Sequence, residues 1–350
     1  MRAVRSRSGL DAAELRGAID RGRNSLESLA GASLLLTGAT GWFGTWLLDL
    51  LCAANEHLDL GIRLAAVSRA PAAFLARHPQ FADSGIRWIE CDVRDLDADA
   101  GRFTHVIHGA ADSSVTPDSS AQRRLFDTVI DGTRRVLDLA ASCKAVLFLS
   151  SGAIYGPPGP VRRYAESDAG GPDPVSPKAA YAEAKRAAEQ LCALAAGRGL
   201  PVRIARCFAF VGPHMPFDRH FAIGNFIADA VDGRPIRIRS DGLPTRSYLY
   251  MTDLVQALLS ILHGGRDGRA YNVGSDVPVS IGELARCIDR VAGGHGVVIE
   301  GAPSDPNDHY VPDTARIAVE LGFRGEVPLE TAVARTAAWY RDRLRGSMPS

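Results

Sequence analysis

Tyr181 and Lys185 stand four residues apart in the alanine-rich run Tyr181-Ala182-Glu183-Ala184-Lys185. On a helix that spacing puts phenol and ammonium on one face. A free tyrosine ionises near pH ~10 and is a poor base at neutral pH. A neighbouring ammonium stabilises the phenolate, and a cationic nicotinamide would stabilise it further. Taken alone, the pair is also an ordinary piece of helix surface. A hydroxyl gives it company: Ser150-Ser151 closes the apolar run Ala145–Leu149, read as a buried strand, and a serine there points into a cleft.

A third stretch supplies a place for a cofactor. Leu34-Leu35-Leu36 reads as a strand buried on both faces, and Gly38, Gly41 and Gly44 follow in the spacing GxxGxxG. Trp46-Leu47-Leu48 and Leu50-Leu51 then continue at helical spacing. Strand, glycine turn and helix form the context in which such glycines bind a dinucleotide. The first permits the turn, the second lets backbone N–H groups approach a pyrophosphate, and the third lets helix pack on strand.

These residues are carried by an alternation of strands and helices. Strands are expected at Ile62–Ser68, Ile86–Cys91, Thr104–His108, Ala145–Ser150 and Val202–Arg206, with helices at Leu125–Ala141 and Tyr181–Leu194. That rhythm predicts an α/β fold, a doubly wound parallel Rossmann sheet. Beyond Arg206 the pattern becomes irregular and predicts a smaller mixed α/β lobe that binds substrate. The expected division is an N-terminal extension over 1–30 and a dinucleotide-binding domain over 31–206, to which 243–264 return. Segments 207–242 and 265–345 make the lobe. The extension is expected either to dock as a short amphipathic helix or to remain a loose arm.

The 350 residues are 46% hydrophobic and 23% charged, with zero net charge, which gives no global attraction to nucleic acid or to an anionic membrane. No apolar run is long enough for a membrane span. The six cysteines have no metal-ligand spacing, so no metal is expected and the thiols read as reduced, in a cytoplasmic enzyme.

Taken together, the segments Thr37–Gly44, Ser150-Ser151-Gly152-Ala153-Ile154-Tyr155-Gly156 and Tyr181–Lys185 resemble the extended short-chain dehydrogenase/reductases in order and spacing. His108-Gly109-Ala110-Ala111, Gly132-Thr133, Arg206 through Gly212-Pro213, Arg246–Asp253 and Tyr271–Gly274 extend the resemblance over about residues 32–340. It implies a nicotinamide cofactor, a nucleotide-activated sugar as substrate, and a homodimer through a bundle that includes the Tyr181 helix. It makes Ser151, Tyr181 and Lys185 the catalytic set, with Tyr181 as base and Lys185 on the nicotinamide ribose. Cofactor contacts are implied for Gly38, Thr40, Gly41, Trp42, Phe43, Gly44, Ser68, Arg69, Ala110 and Ala111, and Asp92 and Val93 would flank the adenine. Substrate contacts are implied for Ser151, Gly152, Tyr181, Asn225 and Arg246. Arg246 would hold the diphosphate, and the alternative for it is an ion pair with Asp241 or Asp253. Asn225 either binds the nucleotide or caps a helix.

Departures from the family pattern narrow the chemistry. The family's 4,6-dehydratases carry Asp-Glu after the catalytic hydroxyl, and its decarboxylases carry a glutamate at the second of these places. Here they are Gly152 and Ala153, which transfer no proton. An epimerase working through a transient keto-sugar, with C4 the expected carbon, or a keto-sugar reductase needs only Ser, Tyr, Lys and the cofactor. Ala209 and Val129 replace frequent asparagines. Where NAD-binding members end the second strand in an acid, this chain has Ser68-Arg69, which favours NADP over NAD. His214, Asp218, Arg219 and His220 are candidate substrate contacts in a loop. His108 is expected to be packed, and Glu166 and Asp168 to be solvated.

Overall fold

In β1 (Ser33–Thr37) alternate side chains enter two different cores. Leu34 and Leu36 face a core with Trp46, Leu47, Leu50 and Leu254, whereas Leu35 faces one with Val67, Val129, Val146 and Ala188. A strand that must be apolar on both faces belongs at the centre of a two-sided sheet. The computed structural model describes residues 3–97, 99–111, 118–157, 163–217, 221–301 and 308–346.

Five more strands follow in the same sheet: β2 (Arg63–Ser68), β3 (Arg87–Glu90), β4 (His105–His108), β5 (Ala145–Ser151) and β6 (Val202–Cys207). With the Ala270–Val273 strand they form seven parallel strands in the order β3-β2-β1-β4-β5-β6 and then Ala270–Val273. The chain leaves β1 towards β2 and returns to its other side as β4. That reversal opens a crevice beyond the carboxyl ends of β1 and β4. The Trp42–Leu58 helix covers one face of the sheet. The Ser119–Leu139 and Ala180–Ala196 helices pack side by side on the other.

Two features lie outside the sheet's rhythm. The N-terminal segment forms two helices, Ala12–Arg21 and Arg23–Glu27, with Leu15, Ile19 and Leu26 buried. It is tied down by Asp49, a fully buried carboxylate that accepts from Ser6 Oγ, Arg7 N, Ser8 N and Ser8 Oγ. Past β6, short strands pair irregularly. Thr245–Arg246 lies between Val279–Ser280 and His309–Tyr310, and Ile236–Ile238 pairs with Val297–Ile299. The Met251–Gly264 helix returns to pack on β5, β6 and the Trp42–Leu58 helix.

The glycine turn is set by close approach of backbones. A Cβ on Gly44 would lie 2.3 Å from the Gly38 carbonyl oxygen and 2.4 Å from that of Ala39. One on Gly41 would come no nearer than 3.4 Å to any atom. Gly44→Ala is therefore expected to cost about 1–3 kcal/mol in denaturant unfolding. Gly41→Ala should cost under about 1 kcal/mol, the usual range for a helix N-cap change.

Candidate active site

The crevice is built first from glycine. Gly38 has φ +73°, and a Cβ there would meet the Gly109 carbonyl oxygen at 2.5 Å, so the turns after β1 and β4 touch backbone to backbone. Thr37 Oγ1 accepts from the Ala110 N–H at 3.2 Å, and Ala111 lies partly buried beside it. Gly41 is the N-cap of the Trp42–Leu58 helix and brings no capping side chain, so the first-turn N–H groups keep their partial positive charge. The absence of a side chain at Gly41 and an uncapped helix end fit a pyrophosphate. Trp42 and Phe43 fasten this turn to the segment after β6. Trp42 Nε1 donates to the Pro213 carbonyl at 2.8 Å, and the Phe43 ring meets Phe210 edge-on at 5.0 Å.

At the end of β2 the Ser68 and Thr40 hydroxyls are 3.1 Å apart, and Ser68 Oγ accepts from the Ala70 N–H. Arg69 is exposed, and its charge helps to lower the pKa of Asp92. The larger cause of that lowering is Arg94, which grips Asp92 through Nε at 2.9 Å and Nη2 at 3.0 Å. Val93 is buried against Gly132, where a Cβ would come within 2.6 Å of it.

Ser151 ends β5, and Tyr181 and Lys185 lie on the first turns of the Ala180–Ala196 helix. The Ser151 hydroxyl accepts from the Ala153 N–H at 3.1 Å, and its presence works against the rise of the Tyr181 pKa. Lys185, only 3% exposed, donates from Nζ to the Leu149 carbonyl at 2.7 Å and sits over the rings of Phe148 and Tyr181 at 4.9 and 5.9 Å. Burial lowers its pKa to about 8. The expectation that Lys185 depresses the Tyr181 pKa is not met by the polypeptide itself. Burial raises Tyr181, and the opposing influence is the Ser151 hydroxyl, because the ammonium is turned to a carbonyl and an aromatic face.

The residue after Ser151 brings in one that the sequence did not suggest. A Cβ on Gly152 would lie 2.5 Å from Tyr310 Oη and 2.9 Å from the Phe208 ring. The Tyr310 phenol therefore lies over the residue that follows Ser151. No local pattern marks Tyr310, because its partners come from β5 and the segment after β6.

Other expectations resolve differently. Arg246 is paired with neither Asp241 nor Asp253. Its guanidinium meets Asp308 through Nη1 at 2.8 Å and Nη2 at 3.2 Å, while Asp253 accepts the N–H groups of Glu326 and Val327. Asn225 lies within the Ala222–Val231 helix, exposed, and the N-cap is Phe221. Glu166 is not solvated: its side chain is 4% exposed, accepts from the Asn272 N–H and faces Arg316. Asp168 accepts from the Ala165 N–H in an exposed turn. Glu189 binds Ser150 Oγ and Arg206. His108 is packed as expected, between Thr37 and Thr133. His214, in the left-handed region at φ +63°, packs against His78 and Trp339. Asp218, Arg219 and His220 fall outside the described residues. Among the described residues there is no metal-binding cluster and no helix long and apolar enough to cross a membrane. All six cysteines are free thiols, five of them buried.

The family model of the NAD dependent epimerase/dehydratase family matches residues 34–274, from β1 to the end of the last sheet strand. The chain belongs to that family. It is 33% identical over 315 residues to UDP-glucuronic acid decarboxylase 1 of Xenopus tropicalis, spanning 89% of this chain and 72% of that one. It is 30% identical over 319 residues to dTDP-glucose 4,6-dehydratase of Streptomyces griseus, spanning 88% and 93%. Among solved structures, DesIV, a dTDP-glucose 4,6-dehydratase from Streptomyces venezuelae with NAD bound, superposes with a TM-score of 0.75 at 26% identity over 90% of this chain and 98% of its own. A UDP-glucose 4-epimerase from Thermotoga maritima shares the fold, with a TM-score of 0.75 at 23% identity over 89% and 99%. An extended short-chain dehydrogenase/reductase fold and NAD-dependent sugar-nucleotide chemistry are properties of this family.

Burial holds His108 and His214 each at a pKa of about 3, far below the ordinary value. A histidine depressed in the folded state favours folding fully above about pH 6.5, and that contribution is lost as the pH falls towards 3. Asparagine tolerates the left-handed conformation of residue 214. His214→Asn is therefore expected to reduce the stability lost between pH 6.5 and 5 by about 2 kcal/mol, measured by urea unfolding at each pH.

Proposed function

We propose that the protein is a nucleotide-sugar epimerase that works through a transient keto-sugar, with C4 as the reacting carbon and a bound nicotinamide dinucleotide. The observation that supports this most directly is the grouping of Ser151, Tyr181 and Lys185 beside Gly152, a position already filled by Tyr310 and Phe208. The dehydratases of the family place acids at 152 and 153, and the decarboxylases a glutamate at 153. Here Ala153 offers none, and a side chain at 152 would collide with Tyr310. The carboxylates on the flanking segments are engaged: Glu166 with Arg316, Glu183 with Arg186 and Glu189 with Arg206. Dehydration and decarboxylation, the reactions in the names of the two relatives at 30% and 33% identity, thus find no proton-transfer group at 152 and 153.

In this reading Tyr181 takes the proton of the sugar hydroxyl and later returns it, while Ser151 holds the same hydroxyl by hydrogen bonding. When bound, the nicotinamide supplies the reversible hydride acceptor. Lys185 holds the nicotinamide ribose, and Gly38, Thr40, Gly41, Trp42, Phe43 and Gly44 line the pyrophosphate turn. Ser68, Arg69, Asp92, Val93, Ala110 and Ala111 surround the adenosine half. Arg246 receives the substrate diphosphate in exchange for the Asp308 carboxylate, and Asn225 lies on the nucleotide side. A homodimer is proposed through the paired Ser119–Leu139 and Ala180–Ala196 helices, which leave Phe126 and Leu194 exposed. A cytoplasmic location is part of the same proposal.

One observation favours a second reading, an NADPH-dependent keto-sugar reductase. The end of β2 offers two hydroxyls and the exposed Arg69, and no carboxylate, to the adenosine ribose. That set suits a 2′-phosphate. Cofactor balance separates the readings. An epimerase converts a panel of UDP- and dTDP-hexoses with reduced-nicotinamide absorbance constant over many turnovers. A reductase consumes NADPH in step with product. In either case Tyr181→Phe is expected to lower kcat about a hundred-fold or more. Equal turnover by the wild type and this variant would remove Tyr181 as the base.

A further inference from the structure

Two hydrogen bonds, one helical turn apart, tie the Ala180–Ala196 helix to the end of β5. Lys185 Nζ donates to the Leu149 carbonyl at 2.7 Å, and Glu189 Oε1 accepts from Ser150 Oγ at 2.6 Å. The next residue of the strand is Ser151. Two further bonds fix the Glu189 carboxylate from β6. Arg206 donates from Nη2 to Oε2 at 2.8 Å and from Nε to Oε1 at 3.1 Å. We propose that Glu189 is a positioning residue for Lys185, an anchored carboxylate that holds the buried side chain in its ammonium form. This rests on the reading of Lys185 as the residue on the nicotinamide ribose.

Lys185 needs such support because its direct acceptor is a neutral carbonyl. An ammonium that is 3% exposed has lost its hydration and gives up its proton more readily. Residues four apart on a helix stand about 5–6 Å apart at Cβ, so Glu189 is the carboxylate next along the face of Lys185. Its charge works against the lowering that burial imposes. Arg206 is shared among acceptors: Nη1 donates to the Tyr155 hydroxyl at 2.9 Å and to the Glu166 carbonyl at 3.2 Å. It therefore fixes the carboxylate without being devoted to it. The other ionisable groups around Lys185 are Tyr181 and Cys192 on its own helix, Cys207 at the end of β6 and His108 in β4. Burial keeps the phenol and both thiols protonated and His108 neutral. The Ser119–Leu139 helix shares the core of Ala184 and Ala188 through Val129 and Val136, and β5 presents the Phe148 ring. None of these carries a charge. The negative charge on this face is that of Glu189.

The test reads the ionisation of Lys185 directly and needs no substrate. The chain has three lysines, and the other two, Lys144 and Lys178, are exposed. With both changed to arginine and lysine carrying 13C at Cε, one carbon resonance reports Lys185 against pH. In that background Glu189→Gln keeps the side chain's shape and removes its charge. It is expected to lower the Lys185 midpoint by about 1 pH unit. The sign separates charge from packing. A change that merely loosens the site admits water and raises the midpoint towards the ordinary lysine value of about 10.4. Glu189→Gln also leaves the Arg206 guanidinium without its carboxylate. The double variant Glu189→Gln/Arg206→Gln removes both charges and leaves no lone ion. Its midpoint is expected to fall by about 0.5 pH unit. A midpoint that stays put or rises in either variant overturns the proposal. If only the single variant shows the fall, the cause is the unpaired guanidinium and not the loss of Glu189. If the single variant does not fold, the double variant decides. Turnover of Lys185→Ala is a separate measurement, so failure of the reading of Lys185 and failure of its support by Glu189 are told apart.

Discussion

The contact on which the rest depends is the approach of Gly38 to Gly109. Two turns, one after β1 and one after β4, meet backbone to backbone at the place where the strand order reverses. Any side chain there would drive the turns apart. With none, the sheet keeps its central strands in register up to Thr37 and His108, and the crevice above them is bounded by N–H groups of a helix end. His108 is then locked between Thr37 and Thr133 and held neutral, as a spacer between the sheet and the Ser119–Leu139 helix. The grouping of Ser151, Tyr181 and Lys185 needs this frame, because β5 delivers Ser151 beside the same crevice.

The triplet is arranged against the ordinary preferences of its groups. Lys185 is buried, with its ammonium turned to the Leu149 carbonyl and two aromatic faces. Removing it from water costs free energy, and the lowered pKa expresses that cost. Tyr181 is raised by the same desolvation. A buried cation beside a buried phenol forms a poised pair. Each is taken out of water, and the ammonium is compensated by the Leu149 carbonyl and the aromatic faces. Strain of this kind is common at functional sites and is carried by the surrounding fold.

The chain after β6 reaches the site through a few side chains on its irregular strands. Arg246, Asp308 and Tyr310 form one unit: a parallel strand pair held by an ion pair, with a phenol at its end. Through it, the Arg246 guanidinium and the phenol over Gly152 belong to one strand pair. Phe208 and Gly152 make room for that phenol from the sheet side. The same crowding explains why acids cannot simply be restored at 152 without moving the lobe.

The parallel sheet, its glycine turn and the Ser151, Tyr181 and Lys185 set were legible in the chain itself. They depend on interactions between near neighbours: an unbroken apolar run in β1, a turn that tolerates no Cβ, and a four-residue helical repeat. The docked N-terminal helices were half legible, since Leu15, Ile19 and Leu26 mark a face but only Asp49 shows what holds it. Tertiary structure alone decided three things. It gave Arg246 the partner Asp308, buried Glu166 under Arg316, and brought Tyr310 over Gly152. It also reversed the expected influence on Tyr181, because pKa values follow burial and the direction of each hydrogen bond, and neither is encoded in spacing. Sequence reports which groups recur on one element. Contacts between elements far apart in the chain depend on how layers stack, and that is where the second phenol came from.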